Sequence, residues 1–303
     1  MLTCSVCIAT YRRPELLNNL LTSLVAQLLH EDVRLEILVV DNDSEGSAAA
    51  VVARYRDTHK IVFRYFRQPI KNISLTRNLA VSNATGTHLL FIDDDEVACP
   101  DWAARLLTTL RRFNADAVVG PSLPMLDNTA PEWMRKGIHC FVDTIPDAAT
   151  GTEAQAAWSG NCLVRASLLK GIDGPFNPAY GITGGEDGEL FDRLKQQGAR
   201  FVYCREAEVC EYWAPERARV AYLVRRSLFG SNAHTRTLIA FSTRRLLVRV
   251  VMLLKAVSFG LISLMLVLLL LPNKVWRTYW ALKVASNVGR FLAAVGIHYQ
   301  TYK

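Results

Sequence analysis

The chain has 303 residues, 50% of them hydrophobic and 21% charged, with a formal net charge of +7. That length excludes a scaffold too small to bury a sizeable core and leaves room for one large or two smaller domains; no internal repeat or low-complexity segment is visible. The charge is unevenly spread: residues 217–303 carry 14 Lys plus Arg and no acid, so residues 1–216 hold 21 bases against 28 acids, a net −7. An acidic domain joined to a basic tail asks for an anionic partner, and the apolar content of the tail favours a membrane over nucleic acid.

Strand and helix patterns alternate from the start. Residues 4–10 (CSVCIAT) are an apolar run ending at the turn Tyr11-Arg12-Arg13-Pro14. Residues 15–29 place Leu16, Leu17, Leu20, Leu21, Leu24, Val25 and Leu28 at helical spacing, with Pro14 suited to the first turn. Residues 35–40 (LEILVV) are a second buried strand ending at Asp41-Asn42-Asp43-Ser44, and residues 48–56 a helix. A strand over 61–66, a helix over 74–84, a strand over 88–92, a helix over 101–113 and a strand beginning at 117–119 follow. Residues 121–185 are richer in Pro and Gly and read as loop. Residues 186–197 form a helix with Leu190, Phe191 and Leu194 as its apolar stripe and Gly198 as its stop. This βαβα order predicts an α/β fold, a mostly parallel sheet with helices on both faces, and ligands in such sheets bind beyond the carboxyl ends of the strands.

The tail contains the apolar run 256–271 (AVSFGLISLMLVLLLL). As a helix it spans about 24 Å, short of the roughly 30 Å hydrocarbon core, unless 250–254 are added with Lys255 snorkelling. Arg244, Arg245, Arg249, Lys274, Arg277 and Lys283 flank it on both sides, so both ends are expected on the cytoplasmic side. A membrane-dipping or surface-lying helical tail is expected, with a turn at Pro272-Asn273 and an interfacial helix beyond. The first ten residues lack the basic start of a secretory signal. Seven scattered cysteines include Cys4-x-x-Cys7, but no second pair completes a zinc site, so reduced thiols are expected.

Three strand-end or helix-start clusters and two single side chains, Arg77 and Trp158, carry chemistry. The run Asp93-Asp94-Asp95-Glu96 follows a buried strand. Adjacent desolvated carboxylates repel, and oxygen ligands of this kind suit Mg²⁺ or Mn²⁺, which bridge carboxylates to substrate phosphates; a solvated acidic turn is the alternative. Asp41 and Asp43 suit a base or ribose, or an ordinary turn. Arg77 suits a phosphate or the acidic run itself. Gly184-Gly185-Glu186-Asp187 reads as a general base beside a flexible glycine pair, or as plain carboxylates at a helix N-terminus. Trp158 suits stacking on a sugar face or the core.

Taken in order, CIATYRRP (7–14), VVDNDS (39–44), FIDDDE (91–96) and GGEDGELFDRL (184–194) resemble the inverting family 2 glycosyltransferases, whose GT-A fold is a Rossmann-like α/β sheet with helices on both faces. NISLTRN (72–78), DDDE (93–96), APEWMR (130–135) and GGED (184–187) look like the succinoglycan-type β-1,4-glucosyltransferases of bacterial exopolysaccharide assembly. The resemblance covers residues 4–240 and implies a nucleotide-sugar donor, most often a UDP-sugar, with UDP-glucose favoured. By the same resemblance Ala9, Thr10, Tyr11 and Arg13 would line the nucleotide pocket, Asp41 would bind the base and Asp43 the nucleoside. Asp93 and Asp95 would be the outer acids of the DxD motif, binding ribose and Mn²⁺ or Mg²⁺, with Asp94 supporting the loop. Asp187 would be the catalytic base and Glu186 an acceptor contact. Arg225, Arg226 and His234 would hold a diphosphate, although no Gln-x-x-Arg-Trp pattern is present.

The expectation is a GT-A catalytic domain over 1–215 and a basic membrane-associated region over 216–303, on the cytoplasmic face of the inner membrane. The activity expected is metal-dependent transfer of one sugar to a polyprenyl-diphosphate-linked saccharide. A polyprenyl-phosphate sugar synthase and a non-catalytic nucleotide-binding scaffold are the alternatives; a processive polymerase would need an export channel that this tail is too short to build.

Overall fold

The structure, a computed structural model, describes residues 2–56 and 61–298; the end of the expected tail region, residues 299–303, lies outside them. In chain order the strands and helices are β1 (Leu2–Thr10), α1 (Pro14–Val25), β2 (Val33–Asp41), α2 (Ala49–Arg56), β3 (Val62–Arg67), α3 (Ile73–Asn83), β4 (His88–Ile92), β5 (Glu96–Ala98), α4 (Trp102–Arg112), β6 (Ala117–Val119) and β7 (Ser122–Leu126). They continue with α5 (Glu132–Gly137), β8 (Asn161–Arg165), α6 (Ser167–Lys170), α7 (Glu186–Gln196), β9 (Phe201–Tyr203), β10 (Val209–Trp213), α8 (Val220–Phe241), α9 (Arg245–Leu269) and α10 (Lys274–Ala294). Two compact units result. One comprises Met1–Leu123, Thr144–Gly181 and Glu186–Tyr212; the other comprises Pro124–Asp143, Ile182–Gly185 and Trp213–Lys303. The helical unit thus takes up two segments that precede residue 215.

The first unit is the α/β sheet, ordered β3-β2-β1-β4-β8-β6-β9. β1 lies between β2 and β4 and runs parallel to both, from Leu2↔Val33 to Thr10↔Asp41 on one side and from Cys4↔His88 to Cys7↔Phe91 on the other. The polar strand ends at 10–13, 41–44 and 93–96 therefore emerge side by side at one edge. Side chains alternate across each strand, which builds two cores from one sheet. Val6, Ile8, Ile37 and Val39 pack on one face with Leu17, Leu20 and Leu24 of α1 and Trp102, Leu106 and Leu110 of α4. Cys7, Leu38, Val40 and Phe91 pack on the other with Ala80 and Val81 of α3 and Leu190, Phe191 and Leu194 of α7. Burial raises the Cys7 thiol and pushes Cys4 up to about 12, so both are neutral buried side chains, and all seven cysteines are free.

The stretch read as loop contains β7, α5, β8 and α6. β8 is central to the sheet, antiparallel to both β4 (Phe91↔Cys162) and β6 (Val118↔Leu163). Its five residues are buried or half-buried but open on Asn161, a polar residue that hides the strand from a hydrophobic pattern. Asn161 is itself fully buried: its Oδ1 accepts from Trp102 Nε1 at 2.8 Å, and its Nδ2 donates to the carbonyls of Pro121 and Ala207 at 2.9 and 2.7 Å. β5 runs on from the acidic run and pairs antiparallel with β10 (Glu96↔Glu211) in a small sheet.

In the helical unit α10 packs against both α8 and α9. Gly289 permits the close approach to α8, because a Cβ there would meet the Leu228 carbonyl oxygen at 2.1 Å. Ser227 donates to the Leu282 carbonyl at 2.8 Å and Asn232 to those of Gly289 and Ile297 at 3.1 and 2.9 Å, hydrogen bonds that tie α8 to α10 and to the residues after it. α9 has 25 residues, about 37 Å at 1.5 Å per residue, longer than the apolar run alone. Among the described residues it is the one helix long and apolar enough to cross a membrane, with a mean hydropathy of 2.4 and 11% of its apolar window buried. The expected turn follows it, and Asn273 caps α10 by accepting from the Val275 and Trp276 amides, both at 3.1 Å.

Candidate active site

The acidic run sits where β4 ends, and each carboxylate has a different set of neighbours. Asp94 is 4% exposed; Thr10 donates to its Oδ2 at 2.7 Å and Arg13 Nη1 to its Oδ1 at 3.0 Å. The same Arg13 nitrogen reaches Asp95 Oδ2 at 3.0 Å. Burial pushes the Asp94 carboxyl up to about 6 against the opposing pull of Arg13. Glu96 accepts from the Asp93 amide at 2.9 Å and is held well above the usual carboxylate range, first by burial and then by Asp93 and Glu211. Asp93, with 43% of its side chain exposed, accepts from Arg77 Nη2 at 3.0 Å. Gly160 backs this corner: a Cβ there would lie 2.8 Å from Glu96 Oε1 and 3.3 Å from Asp93 Oδ2.

α7 brings the second pair of acids to the same place. Gly184 and Gly185 both have positive φ (76° and 87°), a conformation open to glycine, and turn the chain into the helix. Glu186 is 4% exposed and forms an ion pair with Arg77 Nη1, so one guanidinium joins it to Asp93. Burial pushes the Glu186 carboxyl up to about 7, Arg77 lowers it, and the nearby Asp187 charge raises it further. Asp187 is held by three donors: the Ser159 amide and hydroxyl reach Oδ2 at 3.1 and 3.2 Å, and the Gly188 amide reaches Oδ1 at 2.7 Å. A carboxylate has about four lone-pair directions, and these donors use three of them. Trp158 adjoins this loop; its indole N–H is buried with no acceptor among the described residues.

The 41–44 turn is a worked hydrogen-bond hub. Asp41 is fully buried and accepts from the Asp43 amide (3.0 Å), the Ala48 amide (2.7 Å) and the Tyr65 hydroxyl (3.1 Å). Asp43 pairs with Arg12 at 3.2 Å, which holds its carboxyl below the usual range. Arg12 itself has φ 55°, uncommon for a side-chain-bearing residue, and its guanidinium lies 5.3 Å from the Tyr11 ring centre; Lys71 Nζ lies 5.0 Å from the same ring. Ala9 is only half-buried, unlike its neighbours Ile8 and Thr10. Arg12 belongs to the polar turn after β1 and Ser159 to a segment expected at the wall between donor and acceptor, but their bonds to Asp43 and Asp187 span 31 and 28 residues, and no local pattern marks such contacts. In the helical unit, Arg225 lies over Phe229 and Arg226 over Trp213, at 5.1 and 5.5 Å, and His234 lines a cavity beside α9 and α10.

Among the described residues no three His, Cys, Asp or Glu side chains form a metal-binding group. Asp93 and Asp95 alone are two carboxylates at one strand end, a donor set that fits a hard cation completing its coordination with phosphate oxygens and water. Asp95 and Asp187 act electrostatically on Asp93, and Asp187 and Asp93 act on Glu186, so these four acids share one corner of the sheet with Arg13 and Arg77.

Comparison with known proteins agrees with this geometry. Residues 5–172 match the profile described as Glycosyl transferase family 2. The chain is 38% identical over 231 residues to the Succinoglycan biosynthesis protein ExoM of Rhizobium meliloti (strain 1021), covering 76% of this chain and 74% of that protein. By fold it is similar to the mannosyltransferase PcManGT of Pyrobaculum calidifontis, solved with GDP-Man and Mn²⁺ (TM-score 0.64, 17% identity, 94% of this chain and 86% of that one). It is similar also to S. aureus TarS 1-349 in complex with UDP-GlcNAc (TM-score 0.58, 15% identity, 93% of this chain and 90% of that one). A longer S. aureus TarS chain matches over 80% of this chain and 44% of its own length, at TM-score 0.54 and 17% identity. The chain belongs to glycosyltransferase family 2 and has the α/β sheet of the GT-A enzymes.

Proposed function

We propose that this glycosyltransferase is a metal-dependent, inverting enzyme that moves one sugar from a UDP-sugar to a lipid-diphosphate-linked saccharide in surface polysaccharide assembly at the cytoplasmic face of a membrane. The observation that carries the reading is the meeting of two acidic pairs, Asp93 with Asp95 and Glu186 with Asp187, at one strand edge, the first pair tied to the second by Arg77. The likeness to a succinoglycan biosynthesis protein supports the polysaccharide context, and α9 supports the membrane.

In this reading Ala9, Tyr11 and Asp43 border the nucleoside, while Thr10, Arg13 and Asp41 hold the surrounding turns through Asp94, Asp95 and Tyr65. Asp93 and Asp95 would hold Mn²⁺ or Mg²⁺, which when bound neutralises charge on a departing diphosphate as a Lewis acid. Asp187 removes the proton of the acceptor hydroxyl as that oxygen attacks the anomeric carbon. The bond to the diphosphate breaks on the opposite face, so an α-linked donor yields a β-linked product. The three donors on Asp187 fix its direction before substrate arrives, and positioning of this kind is a large part of a general base's effect.

The test is transfer by the full chain with Mn²⁺, a panel of nucleotide sugars led by UDP-glucose, and a prenyl-diphosphate disaccharide. Asp187→Asn is expected to lower kcat by about 10²–10⁴-fold while leaving UDP affinity near normal. Near-normal transfer by that variant would remove Asp187 from the mechanism. Transfer to a bare polyprenyl phosphate instead would make the enzyme a polyprenyl-phosphate sugar synthase.

A further inference from the structure

The helical unit holds a cavity of about 530 Å³ bordered by α8, α9 and α10. Four of its lining residues are basic or imidazole side chains, His234, Lys255, Lys283 and Arg290, and none is acidic. They come from three helices, and the spacing explains how they meet. Lys255, Phe259 and Ser263 recur every four residues along α9, while Trp280, Lys283, Asn287 and Arg290 recur every three or four along α10, so each set forms one stripe. Asn287 is 7% exposed; it donates to the Lys283 carbonyl at 2.8 Å and accepts from Arg290 Nη1 at 2.6 Å, so a buried side chain orients the guanidinium. Nothing from residues 217–303 balances these charges, since that stretch has no acid. Three cations around one cavity repel unless an anion joins them, and a fork-shaped guanidinium with two ammonium groups matches a phosphate or diphosphate.

The setting specifies where the anion comes from. Lys255 stands in the middle of the apolar helix α9, and Phe259, one turn on and 53% exposed, borders the same cavity with Met252 and Leu238. A charge in such a helix is tolerated where it faces a polar cavity or a partner, and Trp280 is the aromatic type found at membrane–water boundaries. Cations and an apolar mouth together match an amphiphile rather than a soluble anion.

We propose that this cavity binds the phosphate or diphosphate group of a membrane lipid, gripped by Lys255, Lys283 and Arg290, with the start of the hydrocarbon chain against Phe259 and Met252. The site serves the lipid-linked acceptor proposed above, and its occupancy is read without any donor sugar, so failure of binding and failure of transfer are separate results.

The experiment measures binding of the full chain to phosphatidylcholine vesicles doped with a long-chain polyprenyl diphosphate, against vesicles of equal surface charge made with phosphatidylglycerol, and against inorganic diphosphate in solution. The polyprenyl diphosphate vesicles are expected to bind at least tenfold more tightly than either. Lys283→Gln with Arg290→Gln is expected to erase that margin, and Lys255→Gln alone, at an exposed side chain, to reduce it severalfold. Arg244→Gln with Arg245→Gln removes equal charge outside the cavity and is expected to keep it. Equal binding to phosphatidylglycerol, equal loss in both double variants, or retention of the margin without Lys283 and Arg290 would overturn the site. Equally tight binding of inorganic diphosphate would overturn its assignment to a lipid. Thermal unfolding of each variant separates loss of the site from loss of the fold.

Discussion

Arg77 is the residue on which the two halves of the site depend. It is 8% exposed, and its two terminal nitrogens contact Glu186 and Asp93. Removing one partner of a buried ion pair leaves an uncompensated charge and typically costs several kcal/mol. Arg77→Met is therefore expected to destabilise the protein by about 3 kcal/mol, read by urea or thermal unfolding, and to weaken donor and acceptor use together. The pH dependence follows from the same corner. Glu186 is raised to about 7 and Asp94 to about 6, both first by burial. A carboxyl with a raised folded-state pKa keeps its proton in the folded protein, so its contribution is complete below the unfolded value of about 4 and is lost as pH rises through 6–7. The Tm of the metal-free protein is expected to fall between about pH 5 and pH 7.5, and Glu186→Gln to flatten that slope. A slope that is flat in the parent protein, or unchanged in the variant, would contradict the assignment. Arg77 was legible as a basic residue facing either phosphate or the acidic run; its bond to Glu186, 109 residues on, was not, because nothing local to either residue encodes it.

At the scale of elements, α3 is anchored by a contact that a single methyl group would break. Asn72 caps the helix by accepting from the Leu75 amide at 3.1 Å and donates to the Pro178 carbonyl at 3.0 Å. A Cβ on Gly181 would lie 1.8 Å from Asn72 Oδ1. Losing such a cap costs about 1 kcal/mol, so Gly181→Ala is expected to destabilise by about that amount or more and to lower activity, since α3 carries Arg77. Differential scanning calorimetry beside a transfer assay checks both. The elements themselves were largely readable. His88–Ile92 and Ala117–Val119 stand where the apolar runs predict, and α7 ends one residue short of its expected limit. β8 was missed for a physical reason: five residues opening on a buried Asn look like loop until Trp102 is seen to satisfy that Asn.

For the whole molecule, the charge split and α9 bear on where the enzyme works. Clustered Lys and Arg attract an anionic leaflet at about 1 kcal/mol each near the surface, and salt screens that attraction. Binding of the full chain to phosphatidylglycerol vesicles is expected to weaken severalfold between about 0.1 M and 1 M salt, with the Debye length falling from about 10 Å to 3 Å, yet to persist through the apolar surface of α9. Complete loss at high salt, measured by co-sedimentation, would mean that α9 does not enter the bilayer.

Periodicity and strand-end chemistry, properties of neighbouring residues, were enough to define the α/β alternation, the acidic tip of β4, the carboxylates opening α7 and a basic apolar tail. Strand order and register belong to the tertiary structure: β1 between β2 and β4 aligns three polar ends, and β8 inserts antiparallel between β4 and β6. So do the ties between distant residues, such as Arg77 joining Asp93 to Glu186, Ser159 aiming Asp187, and the meeting of Lys255, Lys283 and Arg290. The division has one cause: local patterns record which face of an element is apolar, whereas the pairing of charges far apart in sequence is decided only when those faces pack.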